Sequence, residues 1–162
     1  MKKVSLLIIA IGLLLFSCDK DKNEWSRFYG FTQSDIVGHY EPNPDQSLYE
    51  TLPNAVETIY SNVTIDITAS GANSISLHIL IPGTINKTFS GPLNTDYANR
   101  SDIALTSVIN TYSKEDIMMT VYKNNDGQVR FHGRVKRYIY STKPGHENEL
   151  VKSENWGFDV VK

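Results

Sequence analysis

The chain has one cysteine, Cys18, in 162 residues. No disulfide can form within it, so a packed core must supply the stability that bridges give many exported domains. It also lacks the local motifs of common catalysts: there is no G-x-S-x-G, no G-x-G-x-x-G and no P-loop. His146-Glu147 opens like a zinc-protease motif, but no second histidine follows. Asn124 to Gly127 matches part of a calcium loop, yet Tyr122 and Gly133 stand where acids are required. His39, His78, His132 and His146 have no metal-ligand spacing. These absences point to a non-catalytic protein without a metal or other cofactor. With 16 basic and 18 acidic residues the formal net charge is −2, which argues against nucleic acid as a partner. No convincing amphipathic helix is present, and no apolar run of spanning length follows the first one.

That first run is Val4 to Phe16, preceded by Lys2 and Lys3. As a helix it rises about 20 Å, short of a bilayer core of roughly 30 Å. It therefore reads as the h-region of a signal peptide. The run ends in Leu15-Phe16-Ser17-Cys18. This resembles the lipobox of bacterial lipoproteins, with Phe16 bulkier than the usual residue at its place. The resemblance implies that residues 1–17 are cleaved and that Cys18 carries diacylglycerol and an N-acyl chain. Two or three chains hold a protein on a membrane where one does not. The expected location is the cell envelope, as an outer-membrane lipoprotein, with the periplasmic or surface face left open. Asp19 to Glu24 is a charged stretch, and residues 18–30 read as a flexible tether. Its acids are similar in part to the export signal of Bacteroidetes surface lipoproteins, although Lys20 and Lys22 interrupt them.

Residues 31–162 read as one domain of β-strands. Ile59, Ser61, Val63, Ile65 and Ile67 alternate with Tyr60, Asn62, Thr64 and Asp66. Ile75, Leu77, Ile79 and Ile81 repeat the pattern. Alternation of this kind marks strands with one dry and one wet face. Further strands are predicted over Ile36–Glu41, Ile85–Ser90, Ile103–Asn110, Ile117–Lys123, Val129–Tyr140 and Trp156–Val161, with a hairpin turn at Asn124–Gly127. About eight antiparallel strands joined mainly by short turns predict an all-β up-and-down barrel, with a β-sandwich as the alternative. The outward positions include Asp66, Arg130, His132, Arg134 and Lys136, which is no apolar band for a membrane-spanning barrel. Two long connections, Pro42 to Glu57 and Ser141 to Ser153, are candidate functional loops.

Gly38-His39-Tyr40 before a long loop resembles the G-x-W start of the lipocalins and related barrels, with Tyr40 in place of the tryptophan. Thr95-Asp96-Tyr97 spells a second lipocalin motif but follows the fourth predicted strand, where that family has it after the sixth. The resemblance implies a lipocalin-like barrel whose floor is closed by the Tyr40 ring and whose first loop overhangs the mouth. It also implies a small amphipathic ligand. An eight-stranded barrel holds packed side chains or one such molecule. The alternative function is an adhesion or accessory module that binds a glycan or an envelope protein through tyrosine and tryptophan side chains and the outward row Arg130, His132, Arg134 and Lys136, so that Tyr40 and these four are the candidate ligand- or partner-binding residues. Arg137, alone on the apolar face of that strand, is expected to cap a barrel end with its long stem.

Overall fold

A computed structural model describes residues 24–44, 60–93 and 101–162. Cys18, the preceding signal segment, Thr95–Tyr97 and most of the Pro42–Glu57 connection lie outside the described residues. The alternating segments form strands as their period requires. In chain order these are β1 (Ser26–Arg27), β2 (Gly38–Pro42), β3 (Thr64–Gly71), β4 (Ser74–Ile81), β5 (Ile85–Pro92), β6 (Asp102–Asn110), β7 (Ser113–Lys123), β8 (Val129–Tyr140) and β9 (Leu150–Val161). A short helix, α1 (Gln33–Ile36), precedes β2. It is a single turn, too short to show a helical period in the sequence.

From β2 to β9 the strands form an antiparallel sheet in which hydrogen-bonded neighbours are mostly consecutive in the chain. The sheet curls until β9 pairs with β2, Glu41 opposite Val161 and Pro42 opposite Val160. The chain is thus an all-β, up-and-down, barrel-like fold. Among the described residues the ladder is interrupted at one seam, between β5 and β6. These two strands lie alongside one another without pairing. β1 continues the edge of β7 where β6 stops, Arg27 opposite Tyr122 and Asp102 opposite Thr120. Part of the stretch expected as tether, Trp25 to Gly30, therefore includes a docked strand. β7 and β9 also start earlier than predicted, at Ser113 and Leu150, because polar residues at their beginnings hide the alternation.

The odd-numbered residues of β3 to β8 and the even-numbered residues of β9 point inward. Ile65, Leu77, Phe89, Ile117, Phe131, Val135 and Phe158 are all 0% exposed, so no water-sized gap touches them. The middle of the barrel is packed core. Gly133 permits the close approach of β7 and β8: a Cβ there would lie 2.4 Å from the Met118 carbonyl oxygen.

One end of the barrel is shut. Phe31 and Ile36 are buried there with Tyr40 and Phe131, whose rings are 4.5 Å apart. The Tyr40 hydroxyl donates to the Ile36 carbonyl at 2.7 Å. Gln33 donates to the Gly71 and Ser74 carbonyls, tying α1 to the β3–β4 turn. Lys162 donates to the Val37 carbonyl at 2.8 Å, tying it to the C-terminus. The β4–β5, β6–β7 and β8–β9 turns lie at the other end, as alternating strand direction requires.

Candidate ligand-binding end of the barrel

At that other end the inward alternation continues but the residue types change. Ile117, Val135 and Trp156 form one inward row across β7, β8 and β9. The next row is Glu115, Arg137 and Glu154. Arg137 donates through Nε to Glu115 Oε1 at 2.8 Å, and its Nη2 lies 2.7 Å from the same oxygen. Its Nη1 reaches Glu154 Oε2 at 3.3 Å. The guanidinium also sits over the Trp156 ring, 5.0 Å from the centroid. Arg137 thus neutralises a carboxylate that the barrel has taken out of water. The Glu115 side chain is 3% exposed, while Arg137 is 31% exposed, so solvent meets the cluster at the arginine.

Two lysines complete the group. Lys152 donates to Glu154 Oε1 at 2.6 Å. That hydrogen bond, helped by the Lys152 and Arg137 charges, lowers the Glu154 carboxyl from its usual value against the opposing effect of burial. Lys87, inward on β5 between Ile85 and Phe89, places Nζ 3.7 Å from Glu115 Oε2. The contact passes behind β6 and joins β5 to β7 across the seam. Glu115 Oε2 is buried and accepts no hydrogen bond among the described residues.

Arg137 is the one member singled out from sequence. The others carried a usable signal. Extending the alternation back from Ile117 reaches Glu115, and back from Trp156 reaches Glu154. Lys87 likewise occupies an inward position in its strand. Charged residues at inward positions near strand ends were the mark of this site.

The outward basic row of β8 does not act as one surface. Arg130 is 0% exposed and pairs with Asp159 rather than facing water. His132 stands 3.4 Å from the same carboxylate. Lys136 lies over the Tyr138 ring at 4.8 Å, with Lys114 at 4.7 Å from that ring. Arg134 is half-buried, opposite Met118 and Gly157, without a hydrogen bond or ion pair among the described residues. Tyr40 is buried at the shut end and presents nothing to a ligand from outside. Cys18 lies outside the described residues. Among the described residues no three His, Asp or Glu side chains converge as a metal site. No family model, no curated protein sequence and no solved structure matches the chain.

Proposed function

We propose that this chain is a non-catalytic, lipid-anchored cell-envelope protein whose barrel takes a small amphipathic ligand at its charged end. One observation carries the reading. A barrel shut by α1 and packed through its middle carries at its other end an inward row of charges directly over apolar side chains, with Arg137 and Glu154 meeting solvent above a buried Glu115. Such a boundary suits a molecule with a polar head and a short apolar part, held at the mouth rather than deep inside. Native mass spectrometry of the gently extracted protein is expected to show a co-purifying small molecule, lost in Arg137→Ala. An unliganded spectrum, or a ligand retained equally by that variant, removes this end of the barrel from consideration.

Anchoring rests on the lipobox resemblance. Palmitate labelling of the wild type and none of Cys18→Ala is the expected result; labelling that survives the substitution defeats it.

A second reading, an adhesion module for a glycan or partner protein, draws on Arg134. This guanidinium has no partner among the described residues and sits opposite Met118, which is 50% exposed, with Lys136 the next outward residue along β8. Arg134→Glu with Lys136→Glu tests it on a glycan array or in a pull-down, where unchanged binding would exclude the face. Arg130 is unsuitable for that test, because its burial makes any substitution a stability change.

A further inference from the structure

β1 gives the start of the domain a direction. It pairs antiparallel with the last residues of β7, Ser26 opposite Lys123 and Arg27 opposite Tyr122. Phe28 continues toward the middle of the wall, its N–H donating to the Val121 carbonyl at 2.9 Å. Traced backward, therefore, the chain passes out over the rim of the shut end. Trp25, the residue before β1, is placed there over Arg130, near the start of β8. Seven residue steps separate Trp25 from Cys18. At full extension they reach about 25 Å.

We infer that the shut end rests against the membrane that carries the Cys18 lipid, and that the end bearing Glu115, Arg137 and Glu154 faces the aqueous side. The inference rests on the anchoring reading above. It adds the side from which a ligand reaches the barrel: from water, not from the anchoring leaflet. The side chains at the shut end suit a headgroup layer. Tyr29, in the turn between β1 and α1, is 52% exposed. Lys123 places Nζ 4.6 Å from the centre of the Phe28 ring, and Arg27 is exposed beside them. Aromatic rings and cations of this kind lie at headgroup level. Acids are present too. Asp35 and Asp102 accept from Thr32 and Thr120, and Asp126 is exposed. The contact is therefore with headgroups in general rather than with anionic lipid in particular.

The charged end is the rival surface, because Val108, Ile109, Leu150 and Val151 are exposed there. Seating these side chains in the membrane would send the chain from Cys18 back along the wall to Trp25. From Arg130 to Tyr140 that wall is ten residue steps, about 33 Å of strand. The seven steps available would have to lie taut, and fixing every residue of them is costly. The shut-end pose asks for no such extension.

The lone cysteine makes the test clean. Acylation consumes the Cys18 thiol, so one introduced cysteine takes a thiol-reactive fluorophore at a single place. Tyr29→Cys and Asp126→Cys mark the shut end, and Val108→Cys and Val151→Cys mark the charged end; all four positions are exposed, so the labels disturb no core. Each full-length variant, purified from the envelope, is placed in phosphatidylcholine vesicles whose lipids carry a headgroup spin label that quenches on contact. The Tyr29 and Asp126 labels are expected to lose most of their fluorescence, and the Val108 and Val151 labels little. Loss confined to Val108 and Val151 means that the barrel stands on its charged end and overturns the inference. Equal loss at both ends, or none at either, overturns it as well, since the shut end then has no preferred contact with lipid. These outcomes leave the anchoring reading intact. Labelling of the wild-type protein, by contrast, shows a free Cys18 thiol and defeats that reading and this inference together.

Discussion

Arg130 and Asp159 form an ion pair on the outer side of the sheet that is nonetheless buried, with side chains 0% and 5% exposed. Arg130 Nε donates to Asp159 Oδ1 at 2.7 Å, and Nη2 donates to Oδ2. Trp25 covers the guanidinium, 5.5 Å from ring centroid to Cζ. Asn43 adds a hydrogen bond to Asp159 Oδ1 at 3.2 Å. The pair thus joins the segment before β1, the end of β2, β8 and β9 at one point.

Breaking this pair should be expensive. Asp159→Ala strands a buried guanidinium and is expected to cost about 3–5 kcal/mol in urea unfolding. The joint replacement Arg130→Met with Asp159→Leu should cost much less, because no charge is left unpaired. Equal losses in the two variants would mean that the pair contributes packing rather than charge.

The same pair sets an acid limit. Burial pushes the Asp159 carboxyl up, but the approach of His132, the hydrogen bonds from Arg130 and Asn43, and the Arg130 charge together hold it below its usual value. A group with a depressed folded pKa adds stability that is full above its unfolded value, about 3.9 for Asp. That stability is lost as pH falls through the folded value. Stability measured from pH 6 to pH 2 should therefore fall less steeply in Asp159→Asn than in the wild type.

His39 should titrate high. Its Nδ1 lies 2.6 Å from Asp66 Oδ1 and its Nε2 lies 2.7 Å from Glu41 Oε1. The hydrogen bond to Asp66, then that to Glu41, raises the imidazole above its ordinary value. Both ring nitrogens then donate, which only the charged form can do. Whatever stability this adds is full below the unfolded pKa of about 6.5 and is lost as pH rises through the folded value. An NMR titration should find His39 above that figure in the wild type and lower in Asp66→Asn. An unchanged pKa in the variant would show that the carboxylate does not hold the ring.

Two glycines on inward faces should respond differently to alanine. At Gly133 the new Cβ meets the Met118 carbonyl oxygen at 2.4 Å and Met119 Cα at 2.7 Å, both backbone atoms. The β7–β8 ladder must shift, and a loss of about 1–3 kcal/mol is expected. At Gly91 the nearest atom is Leu105 Cδ2 at 2.9 Å, the end of a side chain that can rotate away. Thermal denaturation of both variants should therefore show the larger drop for Gly133→Ala.

Tyr40→Phe removes one buried hydrogen bond and leaves the Ile36 carbonyl without its side-chain donor. About 1–3 kcal/mol should be lost. Burial also pushes the Tyr40 phenol well above its usual pKa, so it should stay protonated in alkaline solution until the protein unfolds. Ultraviolet titration in which all nine tyrosines ionise together without unfolding would contradict this.

Whereas the strand expected from Ile59 begins only at Thr64, after a turn at Ser61 and Asn62, alternation in the sequence was enough to place β4 and most of β5 to β8, together with their inward faces. The reason is that a strand buries every second residue, a rule read along a single segment. It failed where a segment was too short to repeat, as in β1 and α1, or where polar residues masked the period, as at Ser113–Asp116 and Leu150–Asn155. Arg137 was legible as an exception to its apolar face. Glu115, Glu154 and Lys87 were not, because their meaning depends on which positions lie opposite them across strands.

By itself, then, the amino-acid sequence determined an all-β chain and the apolar set that fills its interior, since both follow from local periodicity. Only the tertiary structure decided that β9 returns to β2, that the ladder breaks between β5 and β6, and that Glu115, Arg137 and Lys87 meet at one end. It also decided that Arg130, outward by period, is buried beneath Trp25. Register between distant strands sets these contacts, and no single strand carries that information.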